Sequence, residues 1–442
     1  MMHLACESFQ TLGGKMWVIT TPYIINFEGV YPGPEMVYVA EEGGFPIRKA
    51  GFSLALAHHC NRAGPGTLDE LTQIIEAMVY GEMHPRTVLS LVNRHGFYNS
   101  TMRHLSESEA LGYLPEGFCN RIIQGGNGEN AAVAVHERLM RTPRKILRDM
   151  CRYYPDYVGA SAGHIVHLEN GNRENRSWVN NLKQSLETPT VALVTGRPID
   201  KKDPAKRKRR HELIEKMNIR GLLEQLKANA PGVRVLYVNE NTKLTRDIVY
   251  HCRALGIRTL GLQGEGNGNR ARLIHDSGST KMVANAHVLD HALLEMADIV
   301  VPLDHSMRAL SVWWQAMVYA NIKDPTFNKK EVWLYDPRAS GVHRHTRKQS
   351  ETMIRMGTMN QKTWDVVATL GTPEEAGAEI ARFCIGEGRR YNVAHFPPPP
   401  QEKIRHLAIP DASKIRTITP ETLGELSRFL RRPVVQALGR GR

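Results

Sequence analysis

The sequence predicts an α/β protein made of two parallel-sheet units and a helical, Pro-containing C-terminal extension. Two observations carry this prediction. Short apolar runs of strand length alternate with stretches of helical apolar spacing, the order that strand–helix–strand crossovers produce. The second half holds five such runs in succession, which predicts a doubly wound sheet. With 442 residues, 41% of them apolar, the chain is long enough for two to three domains with substantial cores.

In chain order, Leu4–Leu12 has helical spacing, Gly13-Gly14 stops it, and Met16-Trp17-Val18-Ile19-Thr20 has the composition of a buried strand. A helix feeding a strand through Gly-Gly is the second half of a strand–helix–strand unit. Met36–Val39 and an apolar segment from Ile47 to Ala57 follow. Next come a glycine-paced turn, a helix through Glu70–Met78 and the strand Thr87–Val92. Another helix and the short strand Arg121–Ile123 close a first unit, 1–135. From 136 to 188 Arg, Tyr and Asn dominate and the apolar period weakens, so a connector is expected, with a helix from Pro143 to Tyr154. The second unit, 189–345, is carried by Val191–Gly196, Val233–Val238, Thr259–Leu262, Ile299–Leu303 and Val332–Tyr335. The remainder, 346–442, turns helical, passes through the polyproline II stretch Phe396–Pro400 and ends in a basic tail.

A formal net charge of +13 favours anionic ligands, nucleotides or nucleic acid, over acidic clefts for cations. The six cysteines form no CxxC pair and no regular spacing, which supports neither a disulfide framework nor a zinc module. A reducing, cytoplasmic setting is expected. The first residues lack a basic and apolar leader, and no stretch reaches the roughly 18 apolar residues of a membrane span, so no membrane association is expected.

The stretch with most chemical content is Arg62-Ala63-Gly64-Pro65-Gly66-Thr67-Leu68-Asp69-Glu70. Its glycines pace a turn, with Thr67 and Asp69 as capping side chains, into a helix whose first N–H groups lack partners within the helix and point at one spot. Such a spot suits a phosphate. Glu70, one turn further in, would lie beside that anion, which is unfavourable unless it acts on a part of the ligand that is neutral or becomes cationic. The same spacing also fits an ordinary helix start with Thr67 and Glu70 as a capping box.

These residues resemble the LOG family of cytokinin-activating phosphoribohydrolases, formerly mislabelled lysine decarboxylases, and the related nucleotide 5′-monophosphate nucleosidases. The family signature is PGGxGTxxE, preceded about two dozen residues earlier by an Arg-Lys pair. Here Arg48-Lys49 precedes Gly64-Pro65-Gly66-Thr67-Leu68-Asp69-Glu70, and the following helix, the Val88–Val92 strand and Gly96-Phe97-Tyr98 also look like the family, over roughly residues 4–135. The resemblance implies a Rossmann-like fold, a homodimer, and hydrolysis of the N-glycosidic bond of a nucleoside 5′-monophosphate to free base and ribose 5-phosphate. It also implies Glu70 as the catalytic carboxylate with Arg48 as its partner, and Gly64, Gly66, Thr67 and Lys49 as substrate-binding residues. A carboxylate suits this cleavage because oxocarbenium charge develops while a water is oriented. An arginine nearby holds the phosphate or polarises the leaving base. No cofactor and no metal are implied.

This chain departs from the signature at three places. Arg62-Ala63 replaces the first Pro-Gly and adds a charge, and His58-His59-Cys60-Asn61 stands where the apolar strand into the turn is expected. The family's opening strand and glycine-rich loop have no counterpart, so the first unit is expected to be N-terminally incomplete. In the second unit, Thr280-Lys281-Met282 and Ala297–Leu303 resemble the run from the Arg-Lys pair to the strand, but Asp304-His305-Ser306-Met307-Arg308-Ala309-Leu310 holds no glycine and no glutamate. That unit is expected to be a degenerate paralogue, a structural partner or a nucleotide sensor. The alternative for the whole chain is a noncatalytic nucleotide- or nucleic-acid-binding protein.

Further signals are less specific. Gly264, Gly266 and Gly268 with Arg270 follow a strand and precede a helical stretch, as a second phosphate turn would, although Glu265 opposes an anion and a surface loop fits as well. Gln124–Asn130 is expected to be a loop. His287 and His291 stand four apart as zinc ligands do on a helix, but the companion glutamate and a third ligand are missing, so a helix-surface or core pair is expected. Lys206-Arg207-Lys208-Arg209-Arg210, taken as a loop leading into a helix, could hold nucleic-acid phosphates or be a solvated basic loop. Trp313-Trp314 fits a core or a dimer interface better than a base-stacking platform.

Overall fold

The computed structural model describes residues 11, 17–20, 36–39, 48–49, 51–52, 55–62, 64–81, 83–147, 149–150, 189–200, 202–240, 242–264, 281–283, 286–322, 330–337, 340–386 and 415–417. The chain is an α/β protein in which every paired strand is parallel. Compact units do not follow the chain linearly. Residues 1–56, 143–167 and 393–442 form one, and 57–142 with 168–392 form the other. Among the described residues no helix is long and apolar enough to cross a membrane.

In the first of these units, β1 (Trp17–Thr20), β2 (Met36–Val39) and β13 (Ile415–Thr417) form a sheet of order β1-β2-β13. Gly51 packs so closely on Ile19 that an added Cβ would lie 2.8 Å from Ile19 Cδ1.

The larger unit holds two sheets. A small one has the order β3-β4-β5, from β3 (Ala57–Cys60), β4 (Val88–Val92) and β5 (Ile123–Gly125). All five residues of β4 are buried, as a central strand covered on both faces requires. Edge strand β3 keeps His58 and His59 partly exposed, which explains why so polar a run can be a strand there. The helices between and after these strands are α1 (Pro65–Tyr80), α2 (Asn99–Ala110) and α3 (Gly128–Arg141).

The large sheet has seven strands, β12-β11-β10-β6-β7-β8-β9. Its chain starts at β6 (Thr190–Val194) and runs outward through α4 (Pro204–Lys216), α5 (Ile219–Asn229), β7 (Arg234–Val238), α6 (Lys243–Ala254), β8 (Arg258–Gly264) and β9 (Lys281–Val283). After α7 (Ala286–Met296) it returns to the other side of β6 as β10 (Ile299–Pro302). It then continues through α8 (Met307–Ile322), β11 (Glu331–Tyr335), α9 (Arg344–Arg355), α10 (Gln361–Trp364), β12 (Val367–Leu370) and α11 (Pro373–Cys384). The doubly wound order expected from sequence is therefore present, with its switch point between β6 and β10. The sheet extends through β12 into the stretch read as a helical extension.

Strand–helix–strand–helix–strand–helix from β3 to α3 is the order repeated from β10 to α11. Even the last helix starts alike: Asn127 accepts the Asn130 N–H at 2.8 Å, and Thr372 accepts the Glu375 N–H at 3.2 Å. Helices α1 and α8 pack on each other, as do α2 and α9. Across the first pair, Gln73 Nε2 donates to Gln315 Oε1 at 3.4 Å, and the two glutamines are 242 residues apart. Gly66 and Arg308 are also 242 apart, as are Glu76 and Val318. Gly66 lies against Val318, while Arg308 binds Glu76. Swapping the two helices thus maps each contact onto the other, a local two-fold relation between the packed antiparallel helices.

Candidate functional site

The helix that follows the glycine turn begins earlier than its spacing indicates. Pro65 takes the first helical position, where its missing N–H costs nothing and its fixed φ is already helical. Gly64 is therefore the N-cap and supplies no side-chain cap, which corrects the expectation that Thr67 and Asp69, or Thr67 with Glu70, cap the helix. Thr67 is already helical, its N–H donating to Gly64 O at 3.2 Å, and Asp69 is buried. Glycine at 64 has a packing cause: a Cβ there would lie 2.6 Å from the carbonyl oxygen of Thr358. Gly64→Ala is accordingly expected to destabilise the protein by about 1–3 kcal/mol, read as a lower urea midpoint, and an unchanged midpoint would show that the turn yields freely.

Glu70 stands half-buried in the second turn of α1, at the carboxyl end of β3. Its charge adds to burial in pushing the Cys60 thiol up to about 12, so Cys60 is an inert packing residue and not a nucleophile. The neighbouring strand ends form one polar edge. Tyr98 donates its hydroxyl to Asn61 O. Asn93 is the hub, its amide donating to Asn99 Oδ1 and Gln124 Oε1, each at 2.9 Å, and its Oδ1 accepting the Tyr98 N–H at 2.7 Å. His95, exposed beside Arg94, holds a left-handed conformation (φ 56°, ψ 25°), a local strain of the kind that functional edges retain. Carboxyl ends of parallel strands are where α/β proteins bind ligands. Asn93, Arg94 and His95 lie beside Gly96-Phe97-Tyr98 in the sequence, but nothing in their own spacing marks them as an edge.

The local two-fold relation brings a second turn into direct comparison. Offset by the same 242 residues, Arg62, Gly64 and Gly66 correspond to Asp304, Ser306 and Arg308. The Asp304 carboxylate accepts the N–H groups of Ser306 at 3.0 Å and Gly196 at 3.1 Å, and the Tyr113 hydroxyl at 3.3 Å. It thus occupies the place an external anion would take at the N-terminus of α8, and burial raises its pKa to about 6. Gly196 closes the switch point further, since an added Cβ would collide with the Ser306 side chain and approach the Tyr80 hydroxyl. Beside it, Arg308 is buried and binds Glu76 Oε1 at 2.8 Å, Glu240, and Asp290 Oδ1 at 3.5 Å. The α8 turn is filled by the protein's own ions. The α1 turn has a cation, Arg62, in place of that carboxylate and no side-chain cap.

The remaining predicted residues are placed as follows. Arg48 and Lys49 belong to the smaller compact unit, where Arg48 stacks 4.7 Å above the Phe52 ring and Lys49 is buried. Gly264 ends β8, paired with Val283, while Gly266, Gly268 and Arg270 lie outside the described residues. Lys206–Arg210 is part of α4 and not of a loop, because Asp203 caps the helix and Pro204 starts it. Lys206 pairs with Asp200 at 3.1 Å and Arg210 is buried against Leu111 O, which leaves Arg207, Lys208 and Arg209 exposed. Trp313 and Trp314 are core residues. His291 meets the Tyr319 hydroxyl at 2.7 Å.

Fold and edge together define a parallel α/β protein in which one helix-start turn is self-occupied and another carries no side-chain cap. No protein-family model matches the chain, and no curated protein is significantly similar to it.

Proposed function

We propose that the chain hydrolyses the N-glycosidic bond of a nucleoside 5′-monophosphate, with the α1 turn as its site. The observation that carries this reading is the contrast between the related turns: Asp304 accepts the Ser306 N–H at the start of α8, whereas Arg62 precedes an α1 start without a side-chain cap. The α1 N–H groups and Arg62 receive the phosphate. Glu70, at the carboxyl end of β3, stabilises the ribosyl cation and orients the attacking water. The family resemblance also implies a cytoplasmic homodimer that needs no metal.

Incubation with a panel of nucleoside monophosphates and chromatography of the free base tests the reading. Glu70→Gln is expected to lower base release by about a hundredfold or more while the protein stays folded. No release by the wild type, or equal release by the variant, overturns it.

A further inference from the structure

A cavity of about 320 Å³ lies at the opposite, amino-terminal end of the small sheet, where β4 begins and β5 has not yet started. Its wall is apolar, with Val88, Leu89 and Phe118, and three arginines line it: Arg86, Arg121 and Arg138. Among the described residues no carboxylate lines it. Glu109 accepts the N–H groups of Gly117 and Cys119, and Glu137 pairs with Arg141 at 3.0 Å. Arg121 is held in place by stacking 5.0 Å from the Phe118 ring centre and by donation to Pro85 O at 3.2 Å. Burial, and after it the charge of Arg86, lowers the Arg121 pKa, an effect that a bound anion would offset.

We propose that this cavity is a binding site for a small organic phosphate, with the phosphate bridging Arg86, Arg121 and Arg138 and a compact aromatic body packed on Phe118 and β4. Guanidiniums favour a phosphate dianion through paired N–H donors. The volume is at the lower end of that of small-molecule sites, which suits one ring and one phosphate and not a larger cofactor. The site is separate from the α1 turn, because β4 runs about 16 Å from one to the other.

Isothermal titration of the full chain with phenyl phosphate, inorganic phosphate and phenol tests this. Phenyl phosphate is expected to bind at least tenfold more tightly than either fragment, and Arg86→Ala with Arg138→Ala to weaken it at least tenfold. Arg209→Ala, exposed on α4, is expected to leave it unchanged. All three cavity arginines are exposed, and should the double variant unfold, Arg86→Gln alone carries the same comparison. Equal affinity for phenol and phenyl phosphate, unaltered binding in the Arg86 and Arg138 variants, or loss of binding only in Arg62→Ala, at the other end of the sheet, would overturn the proposal. That last outcome would leave the nucleotide site intact as a reading and remove this one.

Discussion

Arg308→Met is expected to lower the unfolding free energy by about 3–5 kcal/mol, measured by urea denaturation at pH 7. The side chain is buried and holds the carboxylates of Glu76 and Glu240, with Asp290 at 3.5 Å. Removing the guanidinium leaves acidic groups in a site where water does not compensate them, and the Glu240 carboxyl is already raised by burial despite Arg308. The sign of the pH effect follows. Without the cation the Glu240 carboxyl protonates at higher pH in the folded than in the unfolded chain, so the variant regains stability relative to wild type as pH falls from 7 towards 5. The local two-fold relation supplies a second comparison. At the related contact Gly66 meets Val318 with no charge at all. The double variant Arg308→Met, Glu76→Leu is therefore expected to recover part of the loss. Equal loss in both, with no recovery at low pH, would show that Arg308 acts through packing alone.

The fold class was legible because strands buried on both faces, such as β4 and β6, are apolar runs that no amphipathic helix imitates. Strand β12, with the sequence Val-Ala-Thr-Leu, has four residues and follows helical spacing, so nothing local distinguishes it from a helix end. The turn at Gly64 was visible as a motif, but its cap was misread because Pro65 could be taken as the turn and not as the first helical residue. Degeneracy of the second turn was visible as missing glycines. What fills it was not, since Gly196, Glu76 and Glu240 converge on Asp304 and Arg308 from three distant stretches, and only the folded chain brings them together. The same holds for the arginine cavity, whose three cations come from a loop, a short helical turn and α3.

The interface of α2 with α9 is expected to make the protein acid-labile in a way that one substitution can isolate. His305 and His343 are buried beside His104 and His345, and burial lowers the first two to about 4, against the ordinary 6.5. Glu107, which receives His345 at 2.9 Å and lies 3.8 Å from His305, and Asp336 oppose that shift, while the neighbouring imidazoles and Arg344 add to it. A histidine with a depressed folded pKa contributes its full stability above about 6.5. The unfolded chain takes up the proton first as pH falls, and the contribution is lost progressively down to about 4. For His343 alone the loss is on the order of 3 kcal/mol. Asp304 works in the opposite direction, because its folded pKa of about 6 exceeds the unfolded value, so it gains stability as pH falls through that range. That gain is common to wild type and variant and cancels in their difference. His343→Asn is thus expected to be less stable than wild type at pH 7, with the gap narrowing by about 3 kcal/mol between pH 7 and pH 4. Urea titrations at half-unit pH steps measure it, and parallel stability curves would mean that His343 does not stay neutral in the folded interface.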